Sequence, residues 1–147
     1  MMKSLVMISL FMGLHSLVIA DAQAAPPPLE DGVKVLRNLE YSRPEGRPLL
    51  LDLYLPPAGQ GRPAVVMWIH GGGWKNGSKE PCRASWLAAK GYAVASINYR
   101  LLPNQWPSQM EDCRAAVRWL RTNASTHGFD ASRVAAWGGS AGPIWQL

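Results

Sequence analysis

Two short apolar runs in this chain each end abruptly in a cluster of glycines. Ala64-Val65-Val66-Met67-Trp68-Ile69 leads straight into His70-Gly71-Gly72-Gly73-Trp74, and Val134-Ala135-Ala136-Trp137 leads into Gly138-Gly139-Ser140-Ala141-Gly142. An apolar run without alternation is the pattern of a strand buried on both faces, as in a parallel sheet covered by helices. Glycine directly after such a strand permits a turn too tight for a residue with a Cβ. The pattern therefore constrains the chain to a layered sheet with two glycine-rich turns at strand ends.

The rest of the sequence supplies the other layers. Val33 to Tyr41 has mixed strand character, and Leu49 to Leu55 alternates and is stopped by Pro56-Pro57. Pro81 to Lys90 reads as helical and ends at Gly91, a residue suited to a C-cap. Tyr92 to Tyr99 is β-rich. From Pro107 to about Asn123, Met110, Cys113, Ala116, Val117 and Leu120 recur at helical spacing, opposite Arg114, Arg118 and Arg121. Ser108-Gln109-Met110-Glu111 fits a capping box. Two leading strands followed by strand–helix–strand–helix–strand predict a mixed sheet, antiparallel at first and then parallel. Trp68 and Trp119 are read as core residues, Arg100 with Asp112 as a structural pair, and Asp130 with Arg133 as a brace before the last strand.

A serine hydroxyl reacts at neutral pH only when it is exposed, has a base, and has donors for the charge that forms on the attacked oxygen. A G-x-S-x-G turn between strand and helix exposes Ser140 on a strained backbone and presents the Ala141 amide from a helix N-terminus. The Gly71-Gly72-Gly73 turn presents further amides, with Gly71 and Gly72 as donors and Gly73 shaping the bend. Either motif alone is weak, but both at strand ends, separated by a strand and a helix, are specific. Trp74 and Trp106, on loops near strand ends, are placed to line a substrate cleft. No histidine is a good base: His70 adjoins the glycine turn, His127 lies at the far end of the long helix, and His15 lies in the N-terminal leader. Asn76-Gly77-Ser78 and Asn123-Ala124-Ser125 match the glycosylation pattern, which short stretches often meet by chance.

That leader consists of Lys3, the apolar stretch Leu5 to Ala20 and the A-x-A sequence Ala22-Gln23-Ala24. It predicts a signal peptide over residues 1–24 and a secreted or periplasmic product; the run is short for a membrane anchor. The net charge of +5 is spread thinly over arginines from Arg43 to Arg121. Without a dense basic run interleaved with aromatics, nucleic-acid binding has little support. Cys82 and Cys113 remain after the leader. Export favours a disulfide, which would contribute about 3–4 kcal/mol, over two buried thiols. No histidine pair accompanies them, so no metal site is predicted.

From about Glu40 to Gly142 the chain resembles the α/β-hydrolase superfamily. It is similar to the exported bifunctional feruloyl and acetyl-xylan esterases and the broader hormone-sensitive-lipase-like branch. The resemblance rests on Leu51-Asp52-Leu53-Tyr54-Leu55-Pro56, His70 to Trp74, Gly77-Ser78-Lys79, Gly91 to Leu101, Glu111 to Leu120 and the Ser140 turn. It implies Ser140 as the acylated nucleophile and the Gly71, Gly72 and Ala141 amides as the oxyanion hole. No metal or organic cofactor is implied, and the substrates would be small-molecule or polysaccharide-linked esters. The organisation it implies is a leader at 1–24, an N-terminal extension with the first strand at 25–39, and a partial α/β-hydrolase domain at 40–147.

In that family another glycine usually follows Gly142, and the acid and histidine come later in the chain. Here Pro143-Ile144-Trp145-Gln146-Leu147 follows. The expectation is an incomplete domain lacking its C-terminal half, with negligible turnover by itself. A prolyl-oligopeptidase-type peptidase sharing the same turn, or a non-catalytic binding protein, remain as alternatives.

Overall fold

The computed structural model describes residues 28–59 and 61–140. The leader, the Ala141 amide and residues 142–147 lie outside them. Five strands form one sheet: β1 (Lys34–Ser42), β2 (Leu49–Leu55), β3 (Ala64–Ile69), β4 (Ala93–Ile97) and β5 (Asp130–Gly138). Their spatial order is β1-β2-β4-β3-β5. β1 and β4 both pair antiparallel with β2, whereas β3 lies parallel to both β4 and β5. This is the mixed sheet that the alternation of elements predicts. The division placed after residue 39 falls inside β1, so one sheet spans both sides of it.

Each face of the sheet has its own core. The odd-numbered side chains Leu51, Leu53, Met67, Ile69, Ala95 and Ile97 pack with Cys113, Ala116, Leu120 and Ala124 of α1 (Ser108–His127). Phe129, fully buried just past that helix, closes this layer. The even-numbered Tyr54, Trp68 and Val94 pack on the opposite face with Cys82, Ala84 and Ala88. β4 is buried along its whole length because it has neighbours on both edges and cover on both faces. β5 lies at the edge of the described sheet, with Ala135, Ala136 and Trp137 exposed.

The two cysteines are separated by this layering, and the expected disulfide is absent. Cys113 is buried on the α1 face and Cys82 on the other, both as free thiols. With the sheet between them, their Cα atoms cannot reach the short separation a disulfide demands. Burial pushes the thiols up, to about 11 for Cys82 and about 12 for Cys113.

Other local expectations change for similar reasons. Pro81 to Lys90 becomes a 3-10 turn over Ser85–Lys90, ended by Gly91 at φ +89°. α1 runs on to His127 and stops at Gly128 (φ +80°), whose amide donates to the Ala124 carbonyl. Its capping box does not form. The Ser108 hydroxyl donates to the Gln105 carbonyl instead, and the Glu111 carboxylate accepts from Arg100 at 3.1 Å. A tertiary charge outcompetes the local cap.

Candidate active site

β3 and β5 run parallel and side by side, so the turns that follow them meet at the same end of the sheet. Pairing persists past the strands, where the Gly139 amide donates to the Ile69 carbonyl at 3.4 Å. Ser140 follows, exposed and at φ +52°. A non-glycine residue in that region costs about 1–3 kcal/mol and persists only where its surroundings enforce it. The glycine turn comes up against this elbow. A methyl group on Gly71 would lie 2.8 Å from the Gly139 carbonyl oxygen and 3.3 Å from Ser140 Cβ. Only a residue without a side chain permits that approach.

The next residue of the turn is equally tight. Gly72, at φ +116°, has the Asn76 carbonyl oxygen 2.1 Å from where its Cβ would be, and its own carbonyl accepts from the Lys75 and Asn76 amides. His70 is buried and stacks on Tyr99, with ring centroids 4.3 Å apart. The Tyr99 hydroxyl donates to the His70 carbonyl at 2.8 Å. His70 Nδ1 lies 2.7 Å from the Gly71 carbonyl, which only accepts, so Nδ1 holds the imidazole proton. Burial lowers the pKa of His70, opposed by that hydrogen bond. The ring is thus held neutral as a prop of the turn.

A cleft of about 480 Å³ opens beside Ser140. Trp68, His70, Gly71 and Pro81 line it, with Ser78, Glu80 and Arg83 among its polar residues. Trp68 therefore serves both the core and the cleft. Trp74 and Trp106, expected at the cleft, do not line it. Trp74 turns back onto the α1-side core, and Trp106 stands 59 % exposed just before α1. Arg100 and Asp112 do pair: the Arg100 amide and guanidinium both donate to the carboxylate, at 2.8–3.0 Å. Asp130 accepts from Arg133 at 2.7 Å and from the Ser132 hydroxyl at 2.6 Å, which lowers its pKa to about 2. His127 stacks on Trp119 and Phe129 near the end of α1.

Three residues without an individual role in the sequence reading turn out to support the site. Gly77 packs on His70, and Lys79 and Asp52 form a buried ion pair at 2.9 Å. The available signals were a lone aspartate in a leucine-rich strand and the Gly-Ser-Lys that follows the glycine turn.

A strained serine at a strand end, faced by a glycine turn from the neighbouring parallel strand, is the arrangement of an α/β-hydrolase fold. The BD-FAE family matches residues 51–144, well over half of the chain, and the chain belongs to that family. Among curated relatives it is 37 % identical over 94 residues to carboxylesterase NlhH of Mycobacterium tuberculosis, covering 61 % of this chain and 30 % of that protein. It is 33 % identical over 147 residues to carboxylesterase 3 of Pongo abelii, covering 84 % and 26 %. Its fold superposes on esterase Est2 of Thermogutta terrifontis with a TM-score of 0.66 at 28 % identity, covering 80 % of this chain and 43 % of that one. That esterase has also been solved phosphorylated by paraoxon, where the match has a TM-score of 0.65 at 28 % identity over 79 % and 46 % of the two chains. The chain spans about a third or less of the length of these curated relatives, and under half of the solved esterase.

Proposed function

We propose that this chain supplies the nucleophile and oxyanion hole of a secreted or periplasmic serine carboxylesterase. Ser140 Oγ attacks the ester carbonyl, its proton passes to a base, and the protonated alcohol departs, leaving an acyl-serine that water hydrolyses. The Gly71 and Gly72 amides hold the oxyanion, joined by the Ala141 amide that the motif implies. The carrying observation is the approach of Gly71 to the strained Ser140 elbow, which leaves an acyl carbonyl beside both.

Trp68 and Pro81 offer an apolar wall for an acetyl or aromatic acyl group. Ser78, Glu80 and Arg83 suit a hydroxylated, polysaccharide-linked alcohol. His70 is read as a prop of the glycine turn rather than as the base, because its ring is buried and stacked on Tyr99 directly beside that turn. His127 is engaged at the end of α1. The 147-residue chain by itself should therefore acylate slowly and turn over negligibly. An oxyanion hole without a full triad still retains about 10³–10⁴-fold catalysis over water.

The test is to incubate the purified chain with p-nitrophenyl acetate and with a fluorophosphonate probe, following adducts by mass spectrometry. A single slow adduct on Ser140, without sustained p-nitrophenol release, is expected. Adducts elsewhere would refute the assignment of Ser140, and rapid turnover would refute the expectation that this chain lacks a working base.

A further inference from the structure

The ion pair between Lys79 and Asp52 lies behind the cleft, but its connections lead to the turn that faces Ser140. Residue 79 is fastened at three points. Its amide donates to Asn98 Oδ1 at 2.7 Å, its carbonyl accepts from the Ser96 hydroxyl at 2.6 Å, and its Nζ meets Asp52 Oδ1 at 2.9 Å. Asp52 is fully buried in β2 and is itself held by the Asn38 amide at 2.8 Å and by Arg37 at 3.0 Å. Glu80 joins the cluster, accepting from Lys79 at 3.1 Å and from Arg37 at 2.7 Å.

Two residues before this anchor, Gly77 is pressed against the oxyanion turn. A Cβ there would be 2.4 Å from His70 Nδ1 and 2.5 Å from the Gly71 carbonyl oxygen. One residue earlier, Asn76 packs under Gly72 in the same way. The Gly71-Gly72-Gly73 turn is free of side chains and has little stiffness of its own. Its shape is imposed from behind by the 76–79 segment, and a slip of that segment would part the buried ammonium from Asp52, leaving the carboxylate only the half-exposed Arg37 and the Asn38 amide.

We infer that Lys79, seated on Asp52, is a positioning residue for the oxyanion turn. This inference rests on the assignment of Ser140 and the Gly71 and Gly72 amides above. It touches neither substrate nor the reacting atoms. Its action is to keep two amides aligned on the place where negative charge develops, and a misplacement of about 1 Å there costs on the order of 10²-fold in rate.

The test uses the full chain with Lys79→Met, Lys79→Arg and the paired variant Asp52→Asn/Lys79→Met. The pair removes both charges while leaving an acceptor for the Asn38 amide, so it remains informative if Lys79→Met alone fails to fold. Fluorophosphonate labelling of Ser140 is resolved into its maximal rate and its half-saturating probe concentration, alongside amide hydrogen exchange. The maximal rate should fall about 10- to 100-fold in the Met variants with half-saturation unchanged. Lys79→Arg should restore most of it. Exchange protection should be lost over residues 70–79 while β3 and β4 keep theirs. Labelling at the wild-type rate in the paired variant, or protection lost evenly across the sheet, would overturn the inference. If Ser140→Ala labels as fast as wild type, the nucleophile assignment has failed, and the exchange comparison still decides whether Lys79 braces the turn.

Discussion

A Gly71→Ala chain should fold with its core intact and yet react at Ser140 about 10²–10³-fold more slowly, the loss typical of one missing oxyanion donor. The added methyl would meet the Gly139 carbonyl oxygen at 2.8 Å. That neighbour is backbone, which cannot rotate away as a side chain would, so the turn or the elbow must shift. Either movement separates the proposed donors from Ser140. Gly71 itself is not at positive φ, so the substitution adds no intrinsic backbone strain. Gly73→Ala is the control: its added methyl meets nothing within 4 Å, and alanine at φ +58° costs about 1–3 kcal/mol of stability without any clash with the elbow. It should lose far less. Fluorophosphonate labelling kinetics beside thermal melts separate the two effects, and equal labelling rates in the Gly71→Ala and wild-type chains would contradict the geometry.

Asp52→Ala should produce the largest loss of stability. It removes the buried partner of Lys79 and an acceptor of the Asn38 amide and of Arg37. Removing one member of a buried ion pair costs about 3–5 kcal/mol, which for a chain of this size lowers Tm by roughly 10 °C. The pH dependence carries the same signature. Burial alone would raise the Asp52 pKa, but the Asn38 amide and the Lys79 ammonium outweigh it, and the net shift is downward. The unfolded carboxyl, near a pKa of about 3.9, therefore takes up its proton before the folded one does. The stability due to Asp52 is complete above about pH 4 and is lost as pH falls through the folded value. Melts from pH 7 to pH 2 should show a steep acid limb in the wild type and a shallower one in the variant. An unchanged limb would mean that Asp52 is not the group responsible.

Asp52 lies on the face of β2 opposite Leu51 and Leu53, and in an isolated hairpin it would meet water. It is fully buried because Lys79, forward in the chain, and Arg37, from β1, close over it. The capping box at Ser108 fails for the same kind of reason: Arg100, outside the helix, takes the Glu111 carboxylate. Cys82 and Cys113 look like a pair by count and compartment, but which face of a sheet a segment covers is decided by the crossovers that carry it. Trp74 was expected at the cleft from its place beside the glycine turn. Its backbone instead turns through φ +64° and the ring packs into the core.

What the sequence determined alone is the set of elements and the chemistry at their ends. Apolar runs specify strands, helical spacing specifies α1, and two glycine-rich turns single out Ser140 and the Gly71–Gly73 bend, because periodicity and the absence of a Cβ are local properties. The tertiary structure decided which strands lie side by side, and hence that the turns after β3 and β5 meet. It also decided that Asp52 and Lys79 meet as a buried ion pair, because pairing across the sheet and the desolvation of an ion pair depend on residues far apart in the chain.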